Sequence, residues 1–200
     1  MDNYYYIITG LPELTADFDS AEFHYDDFRN NIVQELSKTD RRLVDWFEFN
    51  FVEENLCHTY YDRVAKSTNT FIRDYLTFDK NIRNTLSILI AKKESKDASL
   101  YTIDPIDTEF EEYQEIKTIF SISNIIDRER KLDNLKWKKI SDIVTFEYFN
   151  MNVVLAFLAK AKLVDRWSRM DKEEGARLFE RLVQEVRGTY KGINNKQNKK

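Results

Sequence analysis

The sequence predicts an all-α protein, and three observations support that fold class. Glycine and proline number 4 and 2 in 200 residues, whereas all-β folds and nucleotide-binding α/β folds need many of both in their turns. Hydrophobic residues make up 42% of the chain and aromatic residues 14%, which is enough to form a core. Apolar residues also recur at helical spacing through most of the chain. We expect one helical domain over residues 1–190, either undivided or in two halves that meet near 94–108.

The N-terminus is predicted to form a short extended segment. Tyr4-Tyr5-Tyr6-Ile7-Ile8 consists of aromatic and β-branched residues, which are enriched in strands. Gly10 and Pro12 follow it, and both residue types favour turns. The segment is therefore expected to pack in an extended form before the first helix.

The middle of the chain shows three stretches with helical periodicity. Apolar residues are spaced for one helix over 25–36. A second helix is predicted to open at Arg41 and to run to Val64, and its length suggests a kink near Asn50. A third stretch covers 71–90, with a break expected at 77–79.

A polar stretch from Lys93 to Thr108 separates these helices from the rest. It contains Pro105 and is predicted to be a long loop. Thr108 and Glu111 have the spacing of a capping box, in which the side chain of each residue accepts a hydrogen bond from the backbone N–H of the other. The sequence therefore predicts that the next helix begins at Thr108.

The C-terminal part contains the most apolar helix of the sequence. Apolar residues line two stripes between Phe146 and Val164, which is typical of a helix buried on several sides. Asp171 and Glu174 are expected to open a last helix, since acidic residues favour the positive end of the helix dipole. Residues 191–200 are rich in Asn and Lys, and we expect a disordered tail there.

Charge and hydropathy exclude several classes of partner. The formal net charge is −4, and basic residues between 127 and 139 alternate with acidic ones, which indicates a solvated mixed-charge face and not a nucleic-acid site. The apolar region from 143 to 158 is interrupted by polar residues and is too short to span a membrane. The N-terminus lacks the pattern of a secretory signal. These features predict a cytoplasmic protein without nucleic-acid partners.

No set of residues indicates catalysis, a metal or a cofactor. His24, His58 and Cys57 are the only imidazole and thiol groups, too few for a tetrahedral zinc site. Cys57 and His58 are adjacent, so in a helix their side chains diverge, and Cys57 is interpreted as a small core residue. The phosphate-binding glycine motifs are missing, and no carboxylate pair stands out.

Two segments of the chain look like copies of one helical unit. Phe78-Asp-Lys-Asn81-Ile82 precedes an apolar helix that ends in Ala91-Lys92-Lys93, and Phe149-Asn-Met-Asn152-Val153 precedes one that ends in Lys160-Ala161-Lys162. The offset from Phe78 to Phe149 is 71 residues. Such self-similarity suggests helical pseudo-repeats that stack side by side.

Two segments resemble a bacterial protein family whose genes lie among those of V/A-type ATPases, and which is itself similar to the C-type subunit of these enzymes (the d-type subunit in eukaryotes). They are Asn3 to Leu14, and Phe149 to Val186 with its Asp165-Arg166-Trp167 and Asp171-Lys-Glu-Glu-Gly175 motifs. The helix from Asn81 to Lys93 is similar to a type of helix found in the C-type subunit. The resemblance implies a non-catalytic subunit or assembly factor made of stacked helical repeats. It would link the central shaft to the membrane rotor ring, on the cytoplasmic side of the membrane. This chain is shorter than the C-type subunit, so fewer repeats are expected.

Four residues are candidates for partner binding. Asn81, Glu147, Asn152 and Trp167 are polar or aromatic positions on the helices of the proposed repeats. Trp167 also fits a place in the core, because a tryptophan at helical spacing is usually buried.

Two other functions remain open at this point. One is a free-standing adaptor, unrelated to the ATPase, that would bind partners through exposed aromatic residues around Trp46 and Phe51. The other is an enzyme that acts on a small molecule in a helical cavity. Carboxylates with strongly perturbed pKa values that line one apolar pocket would favour the enzyme.

Overall fold

A computed structural model describes residues 4–16, 18, 23–170, 177 and 179–183. Within these ranges the chain contains helices, turns and loops but no strand, so the all-α prediction is confirmed. The last predicted helix is seen only at 177 and 179–183, and the rest of 171–190 and the predicted tail lie outside the described residues. The α-helices are α1 (Tyr4–Thr9), α2 (Tyr25–Glu35), α3 (Lys38–Glu48), α4 (His58–Ala65), α5 (Thr70–Lys93), α6 (Tyr113–Phe120), α7 (Ile125–Ile143) and α8 (Met151–Ser168).

Helices α5 and α8 lie at the centre of the bundle. α5 packs against α4, α6, α7 and α8, and α8 also contacts α1, α2, α3 and α7. α8 is buried on several faces, as its two apolar stripes predict, with Val154, Leu155, Leu158 and Ala161 all inaccessible to solvent. Burial of each such aliphatic side chain contributes about 1.5–3 kcal/mol, so this helix is a main source of stability.

Asparagine and serine side chains define where the major helices begin. Asn69, Asn124 and Asn150 cap α5, α7 and α8 by accepting backbone N–H groups of the first turn. Ser37 does the same for α3 through the amide of Asp40. These caps satisfy donors that have no partner inside the helix. Because Ser37 is the cap, α3 begins three residues before the predicted start at Arg41.

The N-terminal segment is helical, and the prediction of an extended segment is wrong. In α1, Tyr4, Ile7 and Ile8 face the core, whereas Tyr5 and Tyr6 are exposed. This is the i, i+3, i+4 pattern of a helix, since a strand would place Tyr5 and Ile7 on one face. Packing of Ile7 next to α8 overrides the strand preference of these residue types.

Two predicted irregularities in the middle of the chain differ from the structure. The expected kink near Asn50 is a full break, because α3 ends at Glu48 and two short 3-10 turns, Phe49–Phe51 and Glu53–Asn55, precede α4. The expected break at 77–79 does not occur, because α5 continues through it. Cys57 lies at the start of α4 and is exposed, so its interpretation as a core residue is also wrong.

The long loop before α6 is confirmed, but the capping box at Thr108 is not. Apart from a 3-10 helix at Ala98–Tyr101, residues 94–112 contain no helix. α6 begins at Tyr113, and Glu112 precedes it without capping through its side chain. The loop is held on α5, where the Asn84 amide group donates to the Ile103 carbonyl at 2.7 Å and accepts from the Ile103 amide at 2.8 Å.

The 71-residue repeat does not match the helix boundaries. Asn81 is the twelfth residue of α5, whereas Asn152 is the second residue of α8. The two positions therefore occupy different turns of their helices and have different neighbours.

Candidate partner-binding site

An exposed aromatic surface combines α1 with the connection between α7 and α8. We define it by its four rings: Tyr5, Phe146, Tyr148 and Phe149. Phe146 is 87% exposed and Tyr148 71%, and the Tyr5 and Phe149 rings contact each other with centroids 4.9 Å apart. Exposed aromatic clusters of this kind typically mark sites where another protein binds.

The connection is exposed because α8 starts later than its apolar stripe predicts. The stripe begins at Phe146, but Asn150 caps α8 and the helix starts at Met151. The preceding residues form turns, in which Glu147 N donates to the Val144 carbonyl and Thr145 N to the Asp142 carbonyl. Phe146 and Tyr148 are therefore left outside the bundle.

Glu147 and Asn152, two of the four predicted residues, lie together in a polar cluster at the start of α8. The Asn152 amide donates to Glu147 at 3.2 Å and to Thr70 at 2.8 Å, and Asn152 accepts from Asn69 at 2.9 Å. Asn150 donates to the second oxygen of Glu147. Because Asn69 caps α5, this cluster fixes the N-termini of α5 and α8 side by side.

Trp167, the third predicted residue, belongs to the core at the other end of α8. It lies 15 positions from Asn152, which corresponds to about 22 Å along a helix. Its indole N–H donates to Asp133 at 2.7 Å, and its ring stacks on Phe18 with centroids 5.7 Å apart. Only 7% of the residue is exposed, so its position fits the core alternative.

Asn81, the fourth predicted residue, is also separate from the aromatic surface. It lies on α5 and is 5% exposed, and it lines a cavity of about 480 Å³ together with residues of α7 and of the loop before α6. The structure thus brings two of the four candidates together and places the other two in different parts of the bundle.

A buried charge network crosses the bundle beside Asn81. Asp79 is 2% exposed and accepts ion pairs from Lys136 at 2.8 Å and from Arg83 at 2.7 Å. Burial by itself raises the pKa of Asp79, but the charges of Lys136 and Arg83 outweigh burial and hold that pKa well below its ordinary value. Asp79 is therefore ionised, and its carboxylate oxygens are paired with side chains of the protein itself.

The segment 127–139 supplies much of this network, which differs from the solvated face predicted for it. Asp133 is 2% exposed and pairs with Arg166 at 2.6 Å. Burial raises the pKa of Asp133, and Arg166 partly offsets that effect. Acidic and basic residues alternate in a solvated face and in a buried ion-pair network alike. The charge pattern of the sequence therefore does not distinguish the two.

Trp46 and Phe51, the anchors considered for an adaptor, are partly buried. Trp46 packs edge-on to Tyr60 with centroids 6.3 Å apart, and Phe51 packs edge-on to Phe47 at 5.2 Å. The exposed ring in this region is Phe49, at 44%. Sequence reasoning missed the larger aromatic surface, although the consecutive rings at 4–6 and 146–149 were a visible signal.

Two further features of the described residues concern metal binding and membrane crossing. Among the described residues, no three His, Cys, Asp or Glu side chains are grouped so that they could hold a metal ion. No helix in the same residues is both long and apolar enough to cross a membrane.

Residues 1–189 of the chain match a known protein family in three overlapping segments. The family described as "Protein of unknown function (DUF2764)" matches residues 1–59, 51–109 and 105–189. The chain belongs to this family. The segments overlap at 51–59, around the turn before α4, and at 105–109, in the loop before α6. No curated protein and no solved structure matches the chain. Both parts of the aromatic surface lie within the residues matched to the DUF2764 family.

Proposed function

We propose that this DUF2764 protein is a non-catalytic subunit or assembly factor of a V/A-type rotary ATPase. Its role would be similar to that of the C-type subunit, linking the central shaft to the membrane rotor ring from the cytoplasmic side. The aromatic surface is the part of the protein that binds the ATPase. Its chemistry is protein recognition by exposed rings on a rigid helical scaffold.

One observation carries this proposal. The segments at 3–14 and 149–186 supply most of the resemblance to the ATPase-linked family, and the structure puts their described parts next to each other. The Tyr5 ring contacts the Phe149 ring, and α1 packs on α8. Residues that are far apart in sequence thus contribute to a single exposed surface, which supports a shared role in binding.

The interior of the bundle supports a structural role. The buried carboxylates of Asp79 and Asp133 are held by Lys136, Arg83, Arg166 and the Trp167 indole. These contacts join α5 to α7 and α7 to α8, so the carboxylates serve the rigidity of the bundle. A rigid body is what a component that transmits torque requires.

The proposal is tested by purifying the ATPase from its native membrane through a tag on another subunit. We expect this protein to copurify, either with the complete enzyme or with assembly intermediates alone, and the two outcomes separate a subunit from an assembly factor. Combined replacement of Phe146→Ser and Tyr148→Ser should reduce its recovery about tenfold or more, because interface aromatics often contribute about 2 kcal/mol or more each.

The matched control replaces two exposed apolar side chains elsewhere, Leu100→Ser and Tyr101→Ser. They are 75% and 57% exposed and lie in the 3-10 helix before α6, so recovery should stay unchanged. Normal assembly and pumping in a deletion strain, with no copurification, would contradict the proposal and favour a free-standing adaptor.

A further inference from the structure

The cavity beside Asn81 is a pocket with acidic residues at its rim and a buried floor. It has a volume of about 480 Å³ and lies between α5, α7 and the segment that leads into α6. Phe78 and Asn81 are buried at its floor, whereas Asp74, Glu111 and Asp142 are exposed at its rim. We refer to it as the acidic pocket.

The charge of the acidic pocket is negative. Its lining contains the carboxylates of Asp74, Glu111, Glu112 and Asp142 and one ammonium group, that of Lys139. Asp74 pairs with the neighbouring Arg73 at 3.0 Å, so the lining together with Arg73 has a formal charge of −2. Lys139 is engaged by Glu112 at 2.6 Å and lies 3.8 Å from Glu111. Within the described part of the chain, the Asp142 carboxylate has no ion-pair or hydrogen-bond partner.

Asn81 adds a second, independent feature. The residue is 5% exposed, and its carboxamide makes no hydrogen bond to any described residue. Every fully enclosed side-chain nitrogen and oxygen in the described ranges has a partner, so the Asn81 carboxamide must reach the space of the pocket. A buried amide without a partner is costly unless a ligand or water satisfies it.

Aromatic rings complete the recognition chemistry. Phe78 and Phe110 line the pocket, and the Lys139 ammonium already lies over the Phe78 ring at 5.4 Å from its centroid. The lining therefore combines ring faces with carboxylates. A guanidinium group suits both, because its plane stacks on rings and its five N–H donors match carboxylate and amide oxygens.

We propose that the acidic pocket receives an arginine side chain of a partner polypeptide. Its guanidinium group donates to the Asp142 carboxylate and to the Asn81 side-chain oxygen, and its methylene groups pack on Phe110. Because the carboxylates at the rim are exposed to solvent, the partner's backbone stays outside the pocket and only the arginine side chain enters it. The inference does not depend on the ATPase proposal, because any polypeptide with an accessible arginine can supply the group.

The test uses a synthetic probe, the acetylated and amidated tripeptide Gly-Arg-Gly, and the intact protein labelled with ¹⁵N. In heteronuclear NMR spectra we expect a saturable shift of the Asn81 side-chain NH₂ signal and of the amides around Asp142. The matched probe carries citrulline in place of arginine, which keeps the shape and removes the charge. It should cause no saturable shift.

Variants of the protein distinguish recognition by the acidic pocket from a general effect of the protein's charge on peptide binding. Asp142→Asn should weaken binding of the arginine peptide about two- to fivefold, as expected for an exposed ion pair. Asn81→Ala should weaken it about tenfold through loss of a hydrogen bond to a charged group. Asp27→Asn removes the same charge from an exposed position on α2 and should leave the affinity unchanged.

Three results would overturn the inference. The first is the absence of a saturable shift at Asn81, and the second is equal binding of the citrulline peptide. The third is equal weakening by Asp142→Asn and Asp27→Asn, which would show a nonspecific charge effect. Because Asp142 is exposed, its variant remains informative even if Asn81→Ala fails to fold. Copurification with the ATPase is not measured, so failure here leaves the proposed function intact.

Discussion

At the scale of single residues, Asp79 shows how an ionised group is kept inside the bundle. Its carboxylate accepts from Lys136 and Arg83, and also from the Asn50 amide at 3.2 Å. The Tyr61 hydroxyl in turn donates to the Asn50 side-chain oxygen at 3.3 Å. The network therefore joins α4, α5, α7 and the turn after α3. It also explains why Asn50, in an irregular turn, is buried.

Replacement of Asp79 is expected to destabilise the fold strongly. Asp79→Asn leaves Lys136 and Arg83 without their common partner, and loss of one member of a buried ion pair costs about 3 kcal/mol. Equilibrium unfolding in urea measures this difference. Asp74→Asn on the same helix is the control, because Asp74 is exposed and pairs with the exposed Arg73, and it should change stability by less than about 0.5 kcal/mol. Equal effects of the two substitutions would contradict this account.

The same residue predicts a dependence of stability on pH. Since the pKa of Asp79 is lower in the folded than in the unfolded protein, its stabilising contribution is complete above the unfolded value of about 3.9 and is lost as the pH falls below it. Stability of the wild-type protein should therefore decrease more steeply between about pH 4 and pH 2 than that of Asp79→Asn. Urea unfolding at a series of pH values tests this, and parallel curves would be inconsistent with it.

At the scale of elements, the loop from 94 to 112 is ordered by contacts with α5. Asn84 bonds both the N–H and the carbonyl of Ile103, and the Lys80 ammonium donates to the Pro105 carbonyl at 2.9 Å. Burial lowers the pKa of Lys80, although the charge of nearby Asp104 opposes the effect. Two polar side chains on one helix thus substitute for the regular backbone hydrogen bonds that this loop lacks.

Removal of this clamp should release the loop. Asn84→Ala deletes both hydrogen bonds to Ile103, and we expect a loss of stability of about 2 kcal/mol. Amide hydrogen exchange at Ile103 and its neighbours should accelerate, whereas exchange in α8 should change less. Ser87→Ala, about one turn further along α5 and without a hydrogen bond to Ile103, is the control. Unchanged exchange at Ile103 in Asn84→Ala would refute the clamp.

Errors in the predicted elements have physical causes that lie outside each segment. Tyr4 to Ile8 prefer strands as residue types, yet α1 is helical because its helical face packs on the core. Thr77 to Asp79 suggested a break in α5, but Asp79 is satisfied by side chains from α7 and from α5 itself. Partners that are distant in sequence decided both cases.

At the scale of the whole molecule, the bundle carries two different recognition surfaces. The aromatic surface lies near the N-termini of α5 and α8, and the acidic pocket lies between α5 and α7. Hydrophobic rings favour a stable protein interface, whereas carboxylates around a deep amide select a cationic side chain. The two surfaces lie close together in the chain, since Asp142 lines the pocket and Phe146 of the aromatic surface follows four positions later.

The helical class, the long loop and the burial of α8 follow from the sequence, because apolar periodicity and the scarcity of glycine and proline are local properties of the chain. The sequence also pointed to Asn81, Glu147 and Asn152, but it did not indicate their neighbours. Folding of the bundle is what brings Glu147 and Asn152 together at two helix starts, places Asn81 at the acidic pocket and puts Tyr5 in contact with Phe149. These contacts join residues 5 to 144 positions apart in sequence, and the longest depend on packing of the whole bundle, which no local pattern encodes.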